Sequence, residues 1–178
     1  MKIIALSGKK SSGKTTIAYL IKDIILRKNP NADIHIISWA DSLKEEVCKA
    51  CGISHNYLEE HKANFRLILQ GWGTDFRRIL NGEDYWKNLT FKKLLTLSDE
   101  AIVIVPDTRF LNEANAIKKV GGYLWRIVRR EVYNLNDTHV SETELDSFKE
   151  WDCIIENNAS IAELKGTLIC KVEQFKIV

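Results

Sequence analysis

Lys2-Ile3-Ile4-Ala5-Leu6-Ser7-Gly8-Lys9-Lys10-Ser11-Ser12-Gly13-Lys14-Thr15-Thr16-Ile17-Ala18 decides how this chain is read. Lys2 to Leu6 is short and apolar, as a buried strand is. Gly8 to Thr15 fits G-x-x-x-x-G-K-[ST], and Thr15 onward begins a helical pattern. Strand, glycine-flanked loop and helix, in that order, are the context in which this pattern becomes a phosphate cradle. A loop wrapped round a phosphate chain needs backbone conformations that glycine reaches cheaply, so that its amide hydrogens converge on the oxygens. Gly8 and Gly13 supply those positions, and Ser11, Ser12, Gly13, Lys14, Thr15 and Thr16 line the path of the phosphates. Lys14 sets a positive charge against the β- and γ-phosphates, at a helix N-terminus that already favours anions. Thr15 offers a hydroxyl to Mg2+; Lys9 and Lys10 read either as solvated charge or, for Lys10 inside an anion cradle, as aimed at a second phosphate. The competing reading is a glycine turn without a ligand.

The chain has 178 residues, 45% of them apolar, and a net charge of +2. That is the size of one domain able to bury a sizeable core. The near-zero charge gives no electrostatic case for a nucleic-acid or membrane partner. Lys2 and the apolar run lead straight into the loop and no stretch is long enough to span a bilayer, so no secretory leader is expected and the cytoplasm is the expected compartment. Cys48, Cys51, Cys153 and Cys170 are then expected as reduced thiols. Cys48 and Cys51 with His55 and His61 could be drawn as a zinc site, but the first histidine follows too soon for a finger, and a buried thiol pair is the preferred reading.

Beyond the loop, Ile17, Leu20, Ile21, Ile24 and Ile25 mark an amphipathic helix over Thr15 to Arg27, ended by Asn29-Pro30-Asn31. Ile34 to Trp39 reads as a second strand, with a helix from Asp41 to about Cys51. Asp41 is either a helix cap or a ligand-binding carboxylate. From Asn56 to Leu97 the pattern is helical, broken at Gly71-Trp72-Gly73 and at Asn81-Gly82. Arg66, Gln70, Thr74, Asp75, Arg77, Arg78 and Trp86 gather there, and their concentration favours a binding wall over a solvated face. Ala101 to Val105 reads as a central parallel strand ending at Pro106-Asp107-Thr108-Arg109. Asp107 has the position of an acidic residue that orients Mg2+ or a substrate, with a plain helix cap as its rival.

Phe110 to Val120 reads as a helix closed by Gly121-Gly122. Tyr123 to Val128 is a fourth strand, with Arg129 and Arg130 placed to neutralise a transferring phosphoryl group. Glu131 to Thr138 suits a mobile cover, and a lid-like segment is expected over about 129–140. Ser141 to Glu144 has the pattern of a capping box. Asp152 to Ile155 reads as an edge strand, and Ile161 to Phe175 as the last helix. Alternating strands and helices give a single α/β domain with a parallel sheet, right-handed crossovers and a helical insertion at about 52–98. Ligands in such sheets bind at the carboxyl ends of the strands, where the loop, Asp41, Asp107, Arg109 and Arg129 all fall in this reading.

Several strings resemble the phage-type deoxynucleoside monophosphate kinases. They are Arg66-Leu-Ile-Leu-Gln70-Gly-Trp-Gly73-Thr74-Asp75, Pro106-Asp107-Thr108-Arg109-Phe110-Leu-Asn112-Glu113, Gly121-Gly122 leading to Arg126 and Arg129, His139-Val-Ser141-Glu142 with Leu145-Asp146, and Trp151-Asp152 to Asn157. They cover nearly the whole chain in order. The resemblance implies a P-loop NTPase fold with sheet order 2-3-1-4-5 and helices on both faces, ATP as phosphoryl donor, Mg2+, and a deoxynucleoside 5′-monophosphate as acceptor. It implies that Lys10, Arg66, the turn from Gly71 to Asp75, Trp86 and Arg109 face the monophosphate, with Asp41, Gln70, Thr74, Arg78, Asp107 and Glu142 also counted toward the substrate. Lys14, Arg109, Arg126 and Arg129 would serve the phosphoryl being moved. Relatives often have Asp where this chain has Thr15, so Thr15 rather than Thr16 is the metal ligand here, with Asp107 also toward the ion. A homodimer is admitted by the reading.

The implied chemistry needs no general base, because a phosphate oxygen with a second pKa of about 6 is already mostly ionised at neutral pH. What remains is to hold two anions in line and neutralise their repulsion. Animal-type phosphomevalonate kinases share a similar loop, an Asp-Thr-Arg segment and a His-x-Ser-Glu string. The Arg66 to Asp75 string, with Trp72 and Trp86 available to stack on a base, favours a nucleotide acceptor. A nucleotide-dependent binding module without an acceptor is the reading from another class.

Overall fold

The computed structural model describes residues 1–132 and 138–178. They form two compact units, one of Met1–Ile37 with Leu97–Val178 and one of Ser38–Thr96. In the first, β1 (Lys2–Ser7), β2 (Ile34–Ile36), β3 (Ile102–Thr108), β4 (Tyr123–Val128) and β5 (Cys153–Glu156) make one parallel sheet in the order β2-β3-β1-β4-β5. Alternation along each strand sends side chains to opposite faces. Ile4, Leu6, Ile104, Trp125 and Ile155 pack with α1 (Lys14–Lys28) and α9 (Ile161–Gln174) in one core cluster. On the other face, Gly122 lies so close to Ile117 of α7 (Leu111–Lys119) and to Ile3 that a Cβ there would meet the Ile117 side chain at 2.8 Å. Helices on both sheet faces and the expected strand order are therefore present.

Two strand boundaries differ from expectation, each for a local reason. β2 stops at Ile36, although the Ile37 amide still donates to the Ile104 carbonyl at 3.0 Å. Beyond it the Ser38 amide donates to Asp41 Oδ2 at 2.8 Å and the Ala40 amide to Ser38 Oγ at 3.3 Å. Such side-chain bonds to nearby backbone compete with a sheet ladder. β3, by contrast, continues through Pro106 to Thr108. Ala5 pairs with Val105 but Ser7 with Thr108, so β3 carries one extra residue opposite β1. A bulge of this kind leaves one residue outside the ladder, which is where a proline without an amide hydrogen is tolerated. Asp107 consequently lies within the strand and is not a helix cap, since α7 begins at Leu111 with Phe110 as its N-cap.

The last loops show one further difference. α8 (Val140–Thr143) takes His139, not Ser141, as N-cap, and Glu144 accepts from the Leu111 amide at 2.7 Å instead of reaching back. The expected cover over Glu131 to Thr138 falls largely on 133–137, outside the described residues.

The second unit holds α2 (Asp41–Cys51), α3 (His55–Glu60), α4 (Arg66–Gln70), a π-helical segment Gly71–Arg78, α5 (Ile79–Asn81) and α6 (Tyr85–Leu94). Val47, Cys48 and Leu58 form its core, with Leu43, Phe65, Leu69 and Trp72 packed on it. Cys48 is buried but Cys51 is exposed, so the two are not a buried pair. Gly71-Trp72-Gly73 does not break the helix. The chain passes from α4 into the wider turn without interruption, whereas Gly82, at φ 88°, does end it.

Candidate active site

Gly8 to Lys14 joins β1 to α1, and its geometry explains the two glycines. A Cβ on Gly8 would stand 2.4 Å from the Ile127 carbonyl oxygen. Gly13 is left-handed at φ 95°, ψ 15°, and a Cβ there would stand 2.3 Å from Asn157 Nδ2. That amide donates to the Ser12 carbonyl at 2.9 Å, so the turn after β5 braces the loop. Ser11 also takes a positive φ of 62°. The Ser12 hydroxyl is buried and finds no hydrogen-bond partner among the described residues. A buried hydroxyl without a partner inside such a loop is a donor suited to an oxygen-rich ligand.

Lys14 is only 8% exposed and folds back over the loop, Nζ donating to the Gly8 carbonyl at 2.6 Å and to the Lys9 carbonyl at 2.9 Å. Burial pushes its pKa down to about 7, helped by Arg109 and Arg126 and opposed by Glu142 and Asp107. The amine thus sits where burial and two cations disfavour its charge, at a place able to receive an anion. Thr15 and Thr16, in the first turn of α1, are exposed.

Arg109 follows β3 directly. Its backbone amide donates to Glu113 Oε2 at 2.9 Å, and that oxygen also accepts the Phe110 amide at 3.1 Å. Its guanidinium bonds the Glu142 carboxylate and, at 3.3 Å, the Ser141 carbonyl. The other Glu142 oxygen accepts the Lys10 amide at 2.8 Å. Burial raises the Glu142 carboxyl, but the Arg109 charge and hydrogen bond, the Lys10 amide and the Lys14 charge outweigh it and hold the group below the ordinary glutamate range. Lys9 ties the same corner, Nζ donating to the Glu142 carbonyl at 2.6 Å and pairing with Asp146. Arg126 reaches Asp146 at 3.2 Å and Ser7 Oγ at 3.4 Å, with its guanidinium 5.2 Å from the Trp151 ring centroid. Ser7, Gly8, Thr108, Arg109, Arg126 and Glu142 are among the residues that line one cleft.

Lys10, Lys14, Asp107, Arg109, Arg126 and Glu142 therefore belong to one unit, and contacts or electrostatic coupling link them. Arg129 instead turns to Glu131 at 2.6 Å. The remaining expected residues lie in the second unit. Asp41 begins α2, and Arg66 and Gln70 are the ends of α4. Gly71, Thr74, Asp75 and the buried Arg78 lie in the π-helical segment. Trp86 is 4% exposed and donates its indole N–H to the Gly73 carbonyl at 2.8 Å, so it holds the segment in place and presents no face for stacking on a base. The sequence alone assigns no role to Glu46, Glu113 or Asn157, although the last two stand in strings that carry the resemblance. Glu46 and Asn157 act on groups remote in sequence, while Glu113, three residues into its helix after Phe110, carries a local sign of capping.

A family model described as deoxynucleotide monophosphate kinase matches residues 46–168. A protein of Acanthamoeba polyphaga mimivirus that carries this same name is 33% identical over 201 residues, with 97% of each chain covered. The deoxynucleotide monophosphate kinase of Enterobacteria phage T4 is 33% identical over 109 residues, covering 59% of this chain and 44% of that one. Among solved structures, the APS kinase of Mycobacterium tuberculosis in complex with AMPPNP and APS superposes with a TM-score of 0.59 at 13% identity, covering 97% of each chain. Shikimate kinase from Aquifex aeolicus gives 0.50 at 18% identity and 98% of each chain. At those identities the two structures speak for the P-loop kinase fold alone. By the family match, which lies wholly beyond the phosphate loop, and the mimivirus relative, which covers nearly the whole chain, the chain belongs to the deoxynucleotide monophosphate kinase family.

Proposed function

We propose that the protein transfers the γ-phosphoryl group of ATP to a deoxynucleoside 5′-monophosphate, giving ADP and the diphosphate. The observation that carries this reading is Lys14: a buried amine folded onto two loop carbonyls, its pKa lowered to about 7, with Arg109 and Arg126 near enough to lower it further. A triphosphate entering the loop replaces those carbonyls as the partner of Nζ and draws a proton onto it. Arg109 and Lys10 face the acceptor phosphate, and Lys14, Arg109 and Arg129 neutralise charge on the group in flight. The acceptor phosphate is its own nucleophile, so the residues supply position and charge and no base.

Thr15 and Asp107 are hard oxygen donors of the kind Mg2+ takes, one or two from protein with the rest from phosphates and water, and they would hold it. When bound, the ion neutralises charge between the β- and γ-phosphates. Asp41, Arg66, Gln70, Gly71, Thr74, Asp75 and Arg78 of the second unit recognise the acceptor nucleotide. The proposed architecture is one kinase domain with this unit as its acceptor-binding insertion. Among the described residues no helix is long and apolar enough to cross a membrane. The cytoplasm and a homodimer complete the proposal.

The test is an acceptor screen by ADP release with Mg-ATP and dTMP, dGMP, dCMP, dAMP or phosphomevalonate. Release that depends on one or more of the deoxynucleotides supports the reading. Release driven by phosphomevalonate alone, or equal release with no acceptor, contradicts it.

A further inference from the structure

Residues Gly71–Arg78 form a π-helix of 8 residues, longer than the single-turn π-bulges usually met. Something must hold this register against the α-helix on its N-terminal side. Trp72 and Arg77 both reach Glu46 of α2, and both bond the same oxygen: Trp72 Nε1 donates to Oε2 at 3.0 Å and Arg77 Nε to Oε2 at 2.8 Å. Residues five apart are rotated by about 140° around an α-helix and face different sides. In the wider turn closed by i→i+5 hydrogen bonds the same two residues come round closer to one side. In this wider register one carboxylate oxygen accepts from both. The other oxygen, Oε1, accepts the Tyr85 hydroxyl at 2.9 Å, which ties α6 to the same point. The Arg77 guanidinium lies 5.6 Å from the ring centroids of both Phe76 and Tyr85, so its aim is fixed from two sides.

The packing of α2 against the segment agrees with this. Leu43, one turn before Glu46 on the same face of α2, lies where a Cβ on Gly73 would be, 2.8 Å from Leu43 Cδ2. Gly73 thus lets the helix approach α2 closely enough for Glu46 to span the pair.

We infer that Glu46 is a positioning residue: by clamping Trp72 and Arg77 it selects the π register, and so sets the direction in which Thr74, Asp75 and Arg78 project relative to Arg66 and Gln70. The inference rests on the proposed role of those five residues in binding the acceptor. Without the clamp the segment falls back toward α-helical winding and the acceptor contacts lose their phase, while the phosphate loop, in the other unit, is untouched.

The experiment compares wild type with Glu46→Ala, Glu46→Gln and Trp72→Phe, reading thermal midpoint, amide exchange over 71–78, and KM for ATP and for the best deoxynucleotide. For Glu46→Ala we expect exchange in the segment about tenfold faster, KM for the monophosphate up by about tenfold, and KM for ATP within about twofold. Glu46→Gln keeps one acceptor oxygen and is expected between Ala and wild type. Trp72→Phe keeps an aromatic ring, loses one donor and shifts the same constants in the same direction, and it carries the test with Glu46→Gln should Glu46→Ala not fold. Unchanged exchange over 71–78 in the folded variants overturns the clamp. Faster exchange with an unmoved monophosphate KM also overturns the positioning role, but places the error in the assignment of the acceptor wall. Equal rises in both KM values reduce Glu46 to a residue of general stability.

Discussion

Replacing Lys14 with arginine separates two properties that lysine combines, a positive charge and the capacity to lose it. In the ligand-free protein the Lys14 amine has a pKa of about 7, chiefly because it is buried. At pH 8 about nine molecules in ten therefore carry it neutral. If a nucleotide triphosphate takes the place of the Gly8 and Lys9 carbonyls, the pKa returns well above 8 and Mg-ATP binding takes up about 0.9 proton per site. The same arithmetic gives about 0.5 proton at pH 7 and nearly one at pH 9, with affinity falling about tenfold per pH unit above 7. At pH 8 the phosphate oxygens, with a second pKa of about 6, are already ionised and contribute little. Calorimetric titration in two buffers of different ionisation enthalpy reads the uptake directly. Arginine stays protonated throughout, so Lys14→Arg binds with uptake near zero and with pH-independent affinity. Uptake below about 0.2 proton by wild type at pH 8, or equal uptake by the arginine variant, refutes the reasoning.

Four further outcomes follow from the geometry. Lys14→Ala should lower kcat by at least about a thousandfold while its far-UV spectrum and thermal midpoint stay near wild type, as steady-state ADP release and a melt will show. Gly13→Ala should cost about 1–3 kcal/mol in chemical denaturation and weaken nucleotide binding, since the residue is left-handed and a Cβ would stand 2.3 Å from Asn157 Nδ2. Trp86→Phe leaves the Gly73 carbonyl without its buried donor and should cost about 1–3 kcal/mol by the same measurement. Glu142 has a folded pKa below its unfolded value, so its contribution to stability is present above about pH 4.3 and lost as pH falls through the depressed value. Melts of wild type and Glu142→Gln should accordingly differ most near neutral pH and converge in acid.

How much of this could be read beforehand depended on whether the deciding contact was local. Gly8, Gly13 and Lys14 were legible because the turn between β1 and α1 demands those residue types at those positions. The sheet was legible from its apolar runs, with the strand order supplied by resemblance. The end of β2 was misplaced because Ile37 to Trp39 looks like strand, while Ser38 and Asp41 draw the backbone into a turn of their own. The end of β3 was misplaced because Pro106 normally stops a strand, and whether a bulge absorbs it depends on the facing residues of β1. Gly71-Trp72-Gly73 reads as a break for a similar reason: what carries the helix through is Glu46, 26 positions earlier for Trp72. Trp86 suggested a stacking platform, and only the fold of its unit could show it buried. Asn157 bracing the loop from 145 residues away leaves no trace in any window of sequence.

In the proposed reaction the terminal phosphoryl of ATP moves to a nucleotide. Mg-ATP labelled in its γ-phosphate, incubated with the protein and each deoxynucleoside monophosphate, tests it most directly when the products are separated. Label is expected in the β-position of a deoxynucleoside diphosphate, in step with ADP formed, and none with Lys14→Ala. Label appearing only as inorganic phosphate, or at the same rate with no monophosphate present, contradicts it.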